Sequence, residues 1–309
     1  MRRTLTQSLP WWPALLAAML FALLVPIPGY PAGQIVETIE RSFSVADHPT
    51  VVLSNVDGRT QIVVGSERKI QVRAVKEVNR AGSNEEAKRA GAEVQVRINQ
   101  VGNRIEIEAI YPRQWFSFGL KPQVLVHFEV IVPPAADLEA RTVDGPLDVD
   151  GVDGHLQITS TDGTITARSC GGRIEARTTD GELTLDGVRG EVRAHSTDGK
   201  VTIAGLLNLL EVSTTDGGIE IDAEDGSRMN AEWSIRSSDG DVRLRLPEGF
   251  AADLDITTGD GQITNDYPVT MQGRLSRHRL MGKMFNGGEL LRIRTSDGDV
   301  TIGKPRLNE

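Results

Sequence analysis

Asp-Gly dipeptides stand at residues 144, 162, 180, 198 and 216, each 18 positions after the last, and the repeat continues with those at 239, 260 and 297. If the repeats stack at the strand spacing, Asp144, Asp162, Asp180, Asp198 and Asp216 form a column of carboxylates about 5 Å apart. Neighbours in such a column repel by about 1 kcal/mol or less in water, and a cation would relieve that. Acidic turns bind Ca²⁺ in some β-rolls, but the nonapeptide pattern of those sites is absent. The reading adopted is structural. Each Asp side chain is expected to accept its own turn's backbone N–H, while Gly145, Gly163, Gly181, Gly199 and Gly217 supply positive φ. No metal and no other cofactor is expected.

Two residues before each Asp comes a hydroxyl: Thr142, Ser160, Thr178, Ser196, Thr214, Ser237, Thr258 and Thr295. These fall on the inward phase, where hydroxyl ladders between coils or bonds to turn carbonyls account for them without a ligand. Cys170 is the chain's single cysteine, so it makes no internal disulfide. Its phase matches Val152, Val188 and Leu206, so it is read as a core thiol rather than a nucleophile. His155 and His195 lie in different columns, away from metal spacing and from any evident triad. No HExxH, GxSxG or phosphate-cradling glycine loop occurs. No catalytic residue is assigned.

Two stretches break the pattern. Residues 111–122 bring Trp115, Phe116 and Phe118 together, which suits a contact with a glycan, partner or membrane, or a plug over an open end of the fold. Residues 271–285 interleave Arg274, Arg277, Arg279 and Lys283 with Leu275, Leu280, Met281, Met284 and Phe285. That composition fits either contact with anionic lipid or an acidic partner, or a C-terminal cap. These seven aromatic and basic residues form the candidate interaction surface.

The elements that must position these residues follow from the repeat. Apolar residues stand six before, four before and three after each Asp, as in Leu156, Ile158 and Ile165 around Asp162. This is the period of two that marks strands. A second turn lies between the alternating runs, as at Cys170-Gly171-Gly172. Each unit is thus two short strands and two tight turns, which bury an apolar face only when copies stack. The expected fold is all-β: a β-solenoid (β-helix) of about 18-residue coils. A left-handed hexapeptide coil of equal length is excluded, because one of its required aliphatic columns reads Pro146, Thr164, Glu182, Lys200, Gly218.

Residues 33–135 read as a β-rich N-terminal portion with one short helix at 84–92, N-capped by Ser83 and acidic in its first turn at Glu85 and Glu86. The solenoid is assigned to 136–305, with an insertion near 266–289. Residues 1–32 carry Arg2 and Arg3, an apolar run from Trp11 to Ile27 and a Pro/Gly-rich exit, the form of a signal peptide or an uncleaved N-terminal anchor. The remainder is therefore expected outside the cytoplasm: periplasmic, on the cell surface, or membrane-anchored and facing outward. With 43 Asp+Glu against 34 Lys+Arg the chain has a net charge of −9, which disfavours a nucleic-acid partner.

The pattern of Val132-Pro133, the series from Thr142-Val143-Asp144-Gly145 to Thr215-Asp216-Gly217, and the terminal Gly287-Gly288 with Arg294-Thr295-Ser296-Asp297-Gly298-Asp299-Val300 resembles the bacterial putative-adhesin β-strand-repeat family, a domain of unknown function. The resemblance covers roughly residues 35–303. It implies an exported single-chain β-solenoid with no catalytic residues to carry over. The expected function is non-enzymatic: an adhesin-like or cell-envelope interaction and scaffold protein. Its expected partner is a cell-envelope protein or a glycan, with membrane contact through the N-terminus. Two alternatives are a polysaccharide-active enzyme on a β-helix and a membrane-anchored envelope-stress sensor domain.

Overall fold

In the computed structural model, residues 34–65, 68–112, 122–271 and 276–305 are described. The N-terminal segment 1–32, the aromatic trio Trp115, Phe116 and Phe118, and Arg274 lie outside them. The described chain is all-β with one helix. Alternation creates the strands: in Leu183–His195, Leu183, Leu185, Val188 and Val192 are fully buried while Asp186 and Arg189 face out.

The strands stack in two parallel rows. In one row Leu156 pairs with Ile174, Ile174 with Val192, and Val192 with Leu210. In the other, Leu147 pairs with Ile165, then Leu183, Val201 and Ile219 in turn. Every step in these two series is 18 residues. Like side chains therefore meet across neighbouring strands, and the apolar columns become one continuous core. Each buried aliphatic of that core contributes about 1.5–3 kcal/mol. Cys170 sits in it, fully buried. The Leu206 position departs from expectation. The register shifts between Leu185 and Val188 and again between Gly190 and Glu191, so Leu207 is fully buried and Leu206 only half-buried.

Both ends of the stack depart from chain order. Thr50–Ser54 pairs in parallel with Asp137–Arg141 on one side and Arg104–Ile110 on the other. Thr60–Val64 likewise lies between Leu147–Asp150 and Gln123–Val132. At the opposite end, Leu290–Arg294 lies between Trp233–Arg236 and Ala252–Thr257. Val300–Gly303 lies between Val242–Arg245 and Ile263–Asn265. The last repeat in sequence is thus held between two earlier ones. Antiparallel strands close both ends, including Arg279–Met284 against Ala252–Thr257 and Lys69–Asn79 against Gln123–Val132.

The helix Asn84–Glu93 begins where Ser83 Oγ accepts the Glu86 N–H, and Glu86 in turn accepts the Gly82 N–H. At its other end the buried Lys76 ammonium donates to the Gly91 and Val94 carbonyls and pairs with Glu37. No helix among the described residues is long and apolar enough to cross a membrane.

Candidate functional site

The Asp-Gly turns are closed by the hydroxyl column. The Gly163 N–H donates to Ser160 Oγ at 2.9 Å, Gly181 to Thr178 at 3.2 Å, Gly199 to Ser196 at 2.9 Å and Gly217 to Thr214 at 3.2 Å. Most of these hydroxyls also donate to a carbonyl of the preceding turn: Thr178 to Thr161, Ser196 to Thr179, and Thr214 to Thr197. All four are buried and hydrogen-bonded inside the fold. The role expected of the Asp side chains is therefore filled by Ser and Thr, because the shorter hydroxyl reaches the Gly N–H from inside the turn while the carboxylates are exposed.

The glycines also act differently from expectation. Of the five, only Gly145 has positive φ, at 94°. At Gly163, Gly181, Gly199 and Gly217 the constraint is space. An added Cβ would stand 2.0, 2.2, 1.9 and 2.2 Å from the carbonyl oxygen of the preceding coil's glycine. Stacked turns pass so close that only hydrogen fits. The same contact orders the far end, where Gly298 abuts Gly240 and Gly261 abuts Gly298.

The carboxylates are left as an exposed column. Burial, and then the charges of Asp57 and Asp162, hold the Asp144 carboxyl above the ordinary range. Among the described residues no group of three or more His, Cys, Asp or Glu is placed to hold a metal ion.

Cys170 Sγ lies 3.2 Å from the Arg168 carbonyl, and burial pushes its thiol up, away from the thiolate a nucleophile needs. His155 is 3.8 Å from Glu175. His195 Nδ1 lies 2.8 Å from Ser213 Oγ, a contact made by parallel stacking that no local motif could reveal. Arg177 and Arg193 line the same shallow depression of about 240 Å³ as that pair.

Outward strand positions that look scattered in sequence join into ion networks. Glu220 accepts from Lys200 and from Arg245 at 2.9 Å each, and Arg245 also donates to Asp222 at 2.8 Å. The two cationic donors hold the Glu220 carboxyl down at about 2. Arg193 lies within 4.0 Å of Glu175, Glu191 and Glu211. A second depression, of about 300 Å³, is lined by Arg59, Gln61, Asp148, Asp150 and Arg168 among others.

Of the basic candidates, Arg279 and Lys283 point outward from Arg279–Met284, and Arg277 is exposed in the turn before it. Leu280 and Met284 of the same strand are buried. The segment thus caps the stack with its apolar side and shows its cations to solvent. Stacking adds Arg236, Arg292 and Arg294, which sequence spacing did not associate with it.

A two-row all-β stack of short repeats, with its turn chemistry turned inward, defines the class of protein. Residues 59–303 match the family model Toastrack DUF4097, and the chain belongs to that family, in keeping with the putative-adhesin resemblance. No curated protein matches it. Among solved structures the chain is similar to a putative cell adhesion protein from Clostridium sporogenes ATCC 15579, at 14% identity over 87% of this chain and 100% of that one, TM-score 0.25. It is also similar to a putative adhesin from Bacteroides fragilis NCTC 9343, at 12% identity over 87% and 97%, TM-score 0.35. A third is a putative lipid binding protein from Parabacteroides distasonis ATCC 8503, at 10% identity over 86% and 97%, TM-score 0.38.

Proposed function

We propose that the chain is an exported, non-enzymatic scaffold of about 18-residue β-solenoid coils that presents its outer faces to a cell-envelope partner. One observation carries the reading. The residues most able to do chemistry, the repeated hydroxyls and Cys170, are buried and bonded within the stack. What remains outside is a set of charged strand faces, which suit recognition over a broad surface. The leader-like segment 1–32 and the family support placement outside the cytoplasm.

The experiment is whole-cell protease accessibility of a C-terminally tagged copy, with fractionation and N-terminal sequencing. Digestion in intact cells, or protection only until the outer envelope is opened, fits the reading. A tag recovered solely in the cytoplasmic fraction contradicts it.

A further inference from the structure

On the outer face of the C-terminal coils, arginines line up across strands. Arg236 faces Arg294 in register, Arg294 faces Thr257, and Thr257 faces Arg279. At strand spacing, Arg236 and Arg279 are about 14 Å apart. The neighbouring cross-strand row is Ser234, Arg292 and Asp255.

Positive charge exceeds negative in these two rows. The single Asp255 carboxylate takes Arg294 at 2.5 Å and Arg292 at 3.7 Å, and Glu232 takes Arg292 at 2.5 Å. Arg236, Arg277 and Arg279 are exposed and have no ion pair among the described residues. The Asp-Gly acids Asp239, Asp297 and Asp260 lie three residues beyond Arg236, Arg294 and Thr257, in the turns that follow. Like charges directly opposite each other cost stability; Asp255 offsets the charge of Arg294, and no ion pair among the described residues offsets that of Arg236. In a chain of net charge −9 this patch is a local reversal of sign.

The adjacent row also has unused hydrogen-bonding capacity. Ser234 Oγ, Asp255 Oδ1 and Arg292 Nε are buried without a hydrogen-bond partner. Cations alone would suit any phosphate. Cations beside a hydroxyl and a carboxylate oxygen suit a ligand that carries both an anion and hydroxyls on each unit. The regular cross-strand spacing suits an extended polymer.

We propose that Arg236, Arg294 and Arg279, with Arg277 at the margin, bind a carboxylate-bearing polysaccharide laid across the strands. This rests on the envelope-interaction reading and names the class of partner. Binding draws the Arg294 guanidinium toward the ligand and opens Ser234 and Asp255 to its hydroxyls.

The test measures binding of the purified full chain to fluorescein-labelled polygalacturonate, alginate and hyaluronate. Neutral dextran and phosphatidylglycerol vesicles are run alongside. At least one carboxylated polymer is expected to bind and dextran is not, with affinity falling as salt is added. Arg236→Gln/Arg279→Gln is expected to raise Kd about tenfold or more. Arg97→Gln/Arg104→Gln, at the opposite end, is expected to leave Kd unchanged. Arg279→Gln alone provides a milder second variant, and thermal melts verify all three folds. The proposal is overturned if no carboxylated polymer binds, if both double variants weaken binding equally, or if only vesicles bind. A cytoplasmic location would refute the envelope reading while leaving this binding intact, so the two failures are distinguishable.

Discussion

Gly199 passes directly against Gly181: a methyl group on Gly199 would place its carbon 1.9 Å from the Gly181 carbonyl oxygen. Replacing Gly199 with Ala should therefore separate two coils and cost about 3 kcal/mol. Gly102→Ala has open space and only its φ of 60° to strain, so it should cost about 1 kcal/mol. Urea melts of the two variants check the contrast, and equal losses would show that the close approach is not what requires glycine.

Ser196→Ala should destabilise by about 1–3 kcal/mol, because the Gly199 N–H loses its acceptor inside the stack. Ser196→Thr should be tolerated, since Thr178 and Thr214 fill the same place in the neighbouring coils. Thermal melting of the pair tests this, and an undisturbed Ser196→Ala would contradict the assigned bond.

Two carboxylates predict opposite pH responses. Glu220 is held at about 2 by Arg245 and Lys200, below its ordinary 4.5. Its contribution to stability is present above pH 4.5 and is lost as pH falls toward 2. Glu220→Gln should flatten that part of the acid-unfolding curve. Asp144 is raised, chiefly by burial, so the folded state binds its proton more readily than the unfolded chain does. Its charge costs stability once pH rises above its folded value, and Asp144→Asn should stabilise the protein at neutral pH. A shift of the opposite sign in either variant would refute the corresponding assignment.

Cys170 should not react with a thiol reagent in the native protein and should react fully after denaturation, since its side chain is fully buried. Rapid labelling under native conditions would place it outside the core.

Much of the architecture was legible because the side chains repeat with the coil. The inward columns, the hydroxyl phase, the buried Cys170 and the helix start at Ser83 all follow from local alternation and capping. What was not legible depends on stacking. Ser213 meets His195, and Arg236 meets Arg294, through parallel register at separations that no short motif spans. The glycine column looked like turn chemistry because sequence cannot show how close the next coil passes. The spacings of 23, 21 and 37 residues between the later Asp-Gly pairs gave no sign that the coil at 290–303 enters between two earlier ones. The Leu206 phase failed because a register shift moved the inward position to Leu207.

The central claim is that the repeated polar residues of the turns hold the coils together rather than act on a ligand. Native-state hydrogen exchange at the Gly163, Gly181, Gly199 and Gly217 amides tests it most directly. They should be as protected as the strand amides, with Gly199 losing protection in Ser196→Ala and keeping it in Asp198→Asn. Unprotected glycine amides, or loss of protection on replacing Asp198 instead of Ser196, would contradict it.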